Sequence, residues 1–272
     1  MHELSPQGIK DFQICALLHD FRHRQELPEA ISSQEILAQR YENVLKRVIF
    51  FYFYRRQGGV VPSFNVLVNR WEKLWFPKEM TAYDIALMQN NQYQGNIVSY
   101  SNSAAESLTA FYEDFTTTYK NLGEPILIDE EYVVPLSKNL KLKGKIDLVM
   151  RLGKNITVIK LVTRSKRSPL GNHMMDLAAM RYAFAYRNNS KDVNIDYKLY
   201  DVGTNSPGFV DLVAKAEDVR ALLYWAQEAY STETFVPRRG LTAYCKGCPF
   251  DSDCKKFVIS DEMLRRQIDE NE

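Results

Sequence analysis

Residues 244–254, YCKGCPFDSDC, decide the fold and carry Cys245, Cys248 and Cys254; a fourth cysteine, Cys15, lies near the start of the chain. Thiolates are soft ligands, so four of them suit either a structural zinc ion or an iron–sulfur cluster. Zinc ribbons usually use two close Cys-x-x-Cys pairs, whereas this chain has one such pair. The spacing favours an iron–sulfur cluster that joins the two ends of a domain, with zinc or unrelated thiols as alternatives.

The composition is that of a soluble globular protein, with 45% hydrophobic and 25% charged residues in a chain of 272. Four cysteines are too few for a secreted disulfide scaffold, so we expect the cytoplasm or another reducing intracellular compartment. The apolar run 48–54 is too short to span a bilayer, so we expect no membrane partner.

The formal net charge of +1 gives no argument for nucleic-acid binding. Any such binding must use local basic patches, for example 164–167 (RSKR) or 22–24 (RHR).

Hydrophobic periodicity predicts a mostly helical first half, with helices over about 5–15, 33–54, 62–75 and 82–119. Ser5 is the expected N-cap of the first helix and Pro6 its first residue. The period changes to two after Pro125 and predicts strands over 126–135, 140–150 and 156–163, with a tight turn at 153–155. A helix over 172–187, a strand over 193–200 and a helix over 214–230 follow.

These residues resemble the RecB-like branch of the PD-(D/E)XK nuclease superfamily, specifically its iron–sulfur members. Those include the AddB nuclease domain and the CRISPR-associated RecB-like exonucleases. The resemblance rests on the helix start at Ser5 that leads to Cys15, on the Cys-x-x-Cys then Cys pattern at 245–254, and on Gly144-x-x-Asp147. It extends from Ser5 to Phe257.

The resemblance implies an α/β fold, in which a restriction-endonuclease-like core of mixed sheet flanked by helices has a helical N-terminal insertion. It implies one nuclease-fold domain over 1–272, with a helical region at 33–122, the core sheet at 123–200 and the cysteine cluster at 241–257. It also implies that a [4Fe-4S] cluster is bound by Cys15, Cys245, Cys248 and Cys254.

Active members of this family hydrolyse DNA with Mg²⁺ or Mn²⁺ held by strand carboxylates, and a lysine two residues after the second acid assists the attacking water. Asp147 matches the first acid. One alignment of residues 158–163 places Lys160 at the second acid and Val162 at the lysine, and the other places Val158 at the acid. Neither alignment supplies the second acid.

Two further family positions are altered. Lys46 stands where many members have a histidine, and a Gln-x-x-x-Tyr pattern corresponds to Ala178 and Tyr182. We therefore expect a vestigial site in which the Lys160 ammonium lies beside Asp147 and replaces the charge of the metal. Asp147 as a simple salt-bridged residue, or as a surviving metal ligand, are the alternatives.

Other residues have two interpretations each. Arg164, Lys166 and Arg167 are either a solvated loop or a contact to nucleic-acid phosphates. Glu131 is either a solvated strand residue or an upstream acid. The aromatic residues at 50–54 and 71–76 are expected in the core, with a lining for single-stranded bases as the alternative.

The sequence thus predicts a catalytically inactive nuclease-like protein that binds DNA, or serves as a scaffold for protein partners, in recombination, repair, replication or phage and defence complexes. One alternative is an active metal-dependent exonuclease whose second acid has moved to Glu130, Glu131 or Asp176. Another is a protein-interaction module that binds no nucleic acid.

Overall fold

The computed structural model describes residues 2–29, 33–76, 91–163, 173–188, 194–202, 208–233, 235, 245 and 248–256. The chain forms two compact units. The first, here the terminal unit, comprises Met1–Ile31, Pro135–Lys143 and Arg220–Glu272. The second, here the sheet unit, comprises Ser32–Val134 and Gly144–Val219.

Helices form the first part of the sheet unit. They are α3 (Ser33–Gln57), α4 (Phe64–Trp75) and α5 (Asn91–Glu113), followed by a π-helical turn Asp114–Thr118 and a 3₁₀ turn Lys120–Leu122. In α4, Leu67, Trp71 and Trp75 are buried and recur every four residues, which places them on one face of the helix. The predicted helix 82–119 corresponds to α5 and the π-helical turn from Asn91 onward, and residues 82–90 lie outside the described residues.

Strands form the second part of the sheet unit. They are β2 (Glu124–Pro135), β3 (Leu140–Leu152), β4 (Asn155–Val162), β5 (Asn194–Asp201) and β6 (Gly208–Val213). The last residue of β2, Pro135, and the first part of β3, Leu140–Lys143, belong to the terminal unit. β3 pairs antiparallel with β4, β4 pairs parallel with β5, and β5 pairs antiparallel with β6, while β2 pairs with β3. The sheet is therefore mixed, as predicted.

One helix follows the third predicted strand. This helix, α6 (Met174–Arg187), packs against β4 and β5.

The core of the sheet unit is strongly aromatic. Tyr52, Phe53, Phe111 and Phe115 are buried and contact one another with ring centroids 5.0–5.8 Å apart. Such edge contacts add to the stabilisation that comes from burying the rings. The prediction that 50–54 and 71–76 are core is confirmed for most of their aromatic residues, but Tyr54 and Phe76 are about half exposed.

Gly123 is required at the entry to β2. Its φ is 94°, and a Cβ there would lie 1.9 Å from the carbonyl oxygen of Arg151. A side chain at this position would therefore force β2 away from the end of β3.

The terminal unit is built on the chain start. β1 (His2–Leu4) pairs in parallel with the first residues of β3, and α1 (Pro6–Ile14), α2 (Ala16–His19) and a π-helical turn Asp20–Arg24 follow. The Oγ of Ser5 accepts a hydrogen bond from the N–H of Gly8 at 3.0 Å, so the predicted N-cap is confirmed.

The rest of the terminal unit comes from the end of the chain. The helix α7 (Ala216–Ser231) belongs to it from Arg220 onward, and residues 251–256 form a further short helix. A hydrophobic cluster joins the two sets of elements through Phe12, Leu17, Phe21, Ala229, Phe235 and Phe250.

Two strands were missed by the sequence prediction. β1 has three residues, too few for alternation to be recognised, and β6 is a short apolar run after a Gly- and Pro-containing stretch. No helix among the described residues is long and apolar enough to cross a bilayer.

Candidate active site

Asp147 lies on β3 of the sheet unit, and only 1% of its side chain is exposed. Three residues earlier, Gly144 gives room to the ring of Tyr132, because a Cβ at Gly144 would lie 2.5 Å from the Tyr132 hydroxyl oxygen. Burial raises the pKa of Tyr132, so this hydroxyl stays protonated. The glycine of the Gly-x-x-Asp motif therefore has a packing role beside the carboxylate.

Two lysines contact the carboxylate of Asp147. The Nζ of Lys46, on α3, lies 2.6 Å from Oδ1, and the Nζ of Lys160, on β4, lies 3.2 Å from Oδ2. The backbone N–H of Leu161 also donates a hydrogen bond to Oδ2 at 2.9 Å. Both carboxylate oxygens are thus occupied by donors of the chain itself.

The strand register explains why Lys160 reaches Asp147. Leu148 pairs with Ile159 across the antiparallel ladder. In an antiparallel pair, one step back along β3 corresponds to one step forward along β4, so Asp147 lies opposite Lys160. The structure places Lys160 where the sequence predicts it; that the two residues form a vestigial site stays a prediction.

Both lysines stabilise the charged form of Asp147, whereas the two lysines repel each other. Burial acts to raise the pKa of Asp147, but Lys160 and then Lys46 outweigh it and hold that pKa below its ordinary value. Burial acts to lower the pKa of Lys160, yet the charges of Asp147 and Asp176 leave it raised. For Lys46, the attraction of Asp147 does not offset burial, and its pKa is lowered. Lys160 is therefore the firmly charged partner of Asp147, and Lys46 is the weaker one.

The site does not fit a divalent metal ion. Mg²⁺ needs free oxygen ligands in a near-octahedral arrangement, and two ammonium groups occupy the positions around Asp147 that such an ion would take. Among the described residues, no group of three or more His, Cys, Asp or Glu side chains is arranged to hold a metal ion.

The three acids considered as replacements have other partners. Glu130 lies 3.7 Å from Arg187, and Glu131 lies 3.7 Å from Lys145. Asp176, on α6, lies 3.8 Å from the Nδ1 of His173, and it also raises the pKa of Lys160. Of the three, Asp176 is the acid whose charge acts on the trio.

The other positions aligned with the family's site residues carry three apolar side chains and one tyrosine. Val158, Val162 and Ala178 are buried, and Tyr182 is partly buried. Arg164, Lys166 and Arg167 lie outside the described residues. The other basic run is engaged internally, since Arg22 and His23 both contact the buried carboxylate of Asp11, at 2.8 and 2.7 Å.

The four cysteines all belong to the terminal unit, are half-buried and are not joined by disulfides. Cys15, Cys248 and Cys254 pack against the hydrophobic cluster of that unit. Burial raises the pKa of Cys248, and the nearby Cys15 and Cys245 raise it further. A hydrogen bond from the N–H of Phe250 acts in the opposite direction but does not offset them. Four soft donors, three of them at one apolar cluster, fit an iron–sulfur cluster by their chemistry. Among the described residues the thiols do not form a closed metal-binding group.

The contact of Lys46 with Asp147 was not predicted. The sequence places a lysine where a family histidine is expected, and that position was the available signal. The family pattern could not show that the ammonium would lie directly on the carboxylate.

Comparison with models of protein families matches residues 3–255 to the PD-(D/E)XK nuclease superfamily. The match covers nearly the whole chain, and the protein belongs to this superfamily. A search of curated proteins finds no match. Among matching solved structures, the crystal structure of SSO0001 is 16% identical, with a TM-score of 0.34; the similarity covers 61% of this chain and 78% of that chain.

Proposed function

We propose that this superfamily member is catalytically inactive and acts as a DNA-binding or scaffolding subunit of a larger complex in recombination, repair, replication or phage and defence biology. The observation that carries the proposal is the trio of Lys46, Asp147 and Lys160. Two fixed ammonium groups stand around the one carboxylate where the family would hold its metal.

The inactivity that we propose has an electrostatic cause. In metal-dependent hydrolysis of phosphodiesters, the ion supplies both the activated water and the positive charge that stabilises the transition state. An ammonium group can supply charge to a carboxylate, but it cannot lower the pKa of a bound water as a divalent ion does. A site in which ammonium groups replace the metal ion can therefore keep its fold, but it cannot activate water to hydrolyse a phosphodiester.

The four cysteines support a second part of the proposal. Cys15, Cys245, Cys248 and Cys254 would bind one [4Fe-4S] cluster, which would hold the first helices of the terminal unit to its last segment. Metal binding to residues so far apart in sequence closes a long loop, and its binding free energy contributes directly to folding.

The alternative of an active exonuclease rests on Asp176, whose charge acts on Lys160. It requires this carboxylate to reach an ion at Asp147 after Lys160 has moved aside. The alternative of a protein-interaction module without nucleic acid requires neither a metal nor a basic surface.

The test is a nuclease assay on an anaerobically purified protein, with single- and double-stranded DNA and with Mg²⁺ or Mn²⁺. We expect no cleavage above background and no difference between wild type and Asp147→Ala. Metal-dependent cleavage that disappears in both Asp147→Ala and Asp176→Ala would establish the exonuclease instead. DNA binding without cleavage supports the proposal, while absence of binding at low salt favours the protein-interaction module.

A further inference from the structure

A cavity of about 260 Å³ lies within the terminal unit, and its described lining residues do not include any member of the Asp147 trio. It is lined by residues from β1, the helical turns that follow it, the start of β3 and the end of α7. Its polar lining comes from His2, Glu3, Ser5, His19, His23, Arg24, Lys143 and Tyr230. The function proposed above gives no role to this cavity.

The charges on the cavity wall favour an anion. Arg24 and Lys143 are the two strong bases, and Glu3 is the one acid among the described residues that line it. Glu3 lies 3.6 Å from Lys143, and both side chains are about half exposed, so this ion pair is weak and open to competition. The guanidinium of Arg24 stacks on the ring of Phe235 at 4.8 Å, which fixes its plane.

Two histidines of the cavity wall are each oriented by a hydrogen bond from one ring nitrogen to another residue. The Nδ1 of His19 lies 2.8 Å from the carbonyl oxygen of Gly8. A carbonyl only accepts, so Nδ1 carries the hydrogen and Nε2 remains as the second polar atom of the ring. The Nε2 of His23 lies 2.7 Å from the carboxylate of Asp11, which leaves Nδ1 as the second polar atom of that ring.

This combination matches a phosphate monoester better than a diester. A phosphate monoester has a second pKa of about 6, so near neutral pH it carries up to two charges and exchanges its last proton readily. It can accept hydrogen bonds from Arg24 and Lys143 and can share a proton with an imidazole nitrogen. A diester has one charge and no proton to share.

The remaining wall suggests the size of the ligand. The rings of His2 and Tyr230 meet edge to face, with centroids 5.3 Å apart, and form an aromatic surface beside the basic groups. A cavity of this volume is near the lower end of the range for small-molecule sites. It is large enough for a phosphate with its sugar and part of a base.

We propose that this cavity binds a phosphate monoester of mononucleotide size. The source is either a free mononucleotide or the phosphorylated end of a nucleic-acid strand, since the two present the same group. The proposal stands independently of nuclease activity and of the Asp147 trio.

The experiment is titration calorimetry on the full chain with four probes: deoxyadenosine 5′-monophosphate, deoxyadenosine, and a short single-stranded oligonucleotide with or without a 5′-phosphate. We expect the phosphorylated probe of at least one pair to bind, and its unphosphorylated partner to bind at least about tenfold more weakly, because charge-assisted hydrogen bonds carry the affinity. Binding of the nucleotide alone identifies a free ligand, and binding of the phosphorylated oligonucleotide identifies a strand end. Failure of both phosphorylated probes overturns the proposal.

Variants test the cavity itself. Arg24→Gln with Lys143→Gln should weaken binding about tenfold or more, since two charge-assisted contacts are lost. The matched control, Arg55→Gln with Lys198→Gln, removes the same charge from the sheet unit and should leave the affinity within about twofold. Equal effects of the two double variants would overturn the site.

A substitution that should strengthen binding provides a further test, because a gain in affinity cannot result from a loss of folding. Glu3→Gln frees Lys143 and removes the acid from the wall, so it should tighten binding of the phosphorylated probe about threefold. Unchanged or weakened binding in a folded Glu3→Gln protein would contradict the assignment.

Discussion

Lys46 and Asp147 are 101 residues apart in sequence, and the Nζ of the lysine lies 2.6 Å from Oδ1 of the aspartate. This pair brings α3 onto β3, and Lys160 completes the arrangement from β4. The carboxylate is 1% exposed, while Lys46 and Lys160 are 24% and 17% exposed. The buried acid thus contacts two partly exposed bases.

Replacing Asp147 by Asn should reduce the free energy of unfolding by about 3 kcal/mol. Removal of one partner from a buried ion pair leaves the other charges uncompensated in a poorly solvated position. Urea denaturation, followed by tryptophan fluorescence at a fixed cluster content, measures the effect.

Asp196→Asn is the control for this substitution. Asp196 is 69% exposed and lies 3.8 Å from Lys198, so its loss should cost less than about 1 kcal/mol. Equal stability of Asp147→Asn and Asp196→Asn would contradict the role assigned to the trio.

The stabilisation by Asp147 should disappear in acid. Its pKa in the folded protein is lower than the ordinary value of 3.8, so its contribution is present above pH 3.8 and is lost as the pH falls through the lowered pKa. The difference in unfolding free energy between wild type and Asp147→Asn should be constant near neutral pH and shrink below pH 3.8. A difference that stays constant into strong acid would mean that the charge of Asp147 contributes nothing.

Most regular elements of the sheet unit, with the exception of β6, could be predicted because their hydrophobic periods are long and distinct. The antiparallel pair around Gly153, with Asp147 and Lys160 on adjacent strands, follows from two such periods and a turn residue with a φ of 60°. β1 could not be predicted, because three residues show no period and its pairing with Leu140–Leu142 is tertiary.

The site was predictable only where local sequence determines proximity. Lys160 lies beside Asp147 because strand register fixes it, whereas Lys46 reaches the carboxylate through the packing of a helix more than 100 residues away. The contacts of Arg22 and His23 with Asp11 are likewise tertiary, and they offset the charge of two of the three residues in the basic run 22–24.

Lys160→Glu should create a divalent-metal site. The substitution places a second carboxylate beside Asp147 and changes the local charge by two units, which is the requirement that the native sequence fails to meet. We expect Mn²⁺ to bind at least about tenfold more tightly than to wild type, as measured by the loss of the free-ion signal in electron paramagnetic resonance.

The matched control is Lys154→Glu, which makes the same change of charge in the turn between β3 and β4, where the residue is exposed. It should bind Mn²⁺ no better than wild type. Equal Mn²⁺ binding by Lys160→Glu and Lys154→Glu would show that the gain comes from net charge and not from the position beside Asp147.

Substituting serine for any one of Cys15, Cys245, Cys248 and Cys254 should abolish or strongly reduce the iron content and lower the stability of the terminal unit. Each thiolate would be one of four ligands, and binding of the cluster is coupled to folding. Iron and sulfide analysis of anaerobic preparations, together with visible absorption, measures this. Stoichiometric zinc without iron in the wild-type protein would replace the cluster with a structural zinc site.

Neutralising Arg164, Lys166 and Arg167 together should weaken DNA binding and flatten its salt dependence. Each contact to a phosphate of duplex DNA releases bound counterions and adds about 0.9 to the slope of log affinity against log salt concentration. Loss of all three contacts should therefore reduce the slope by about 2.7 for a duplex, and by somewhat less for a single strand. Fluorescence anisotropy at several salt concentrations, with wild type and the triple alanine variant, gives both slopes. Identical slopes would assign these residues to a solvated loop, and undetectable binding by wild type at low salt would favour the protein-interaction module.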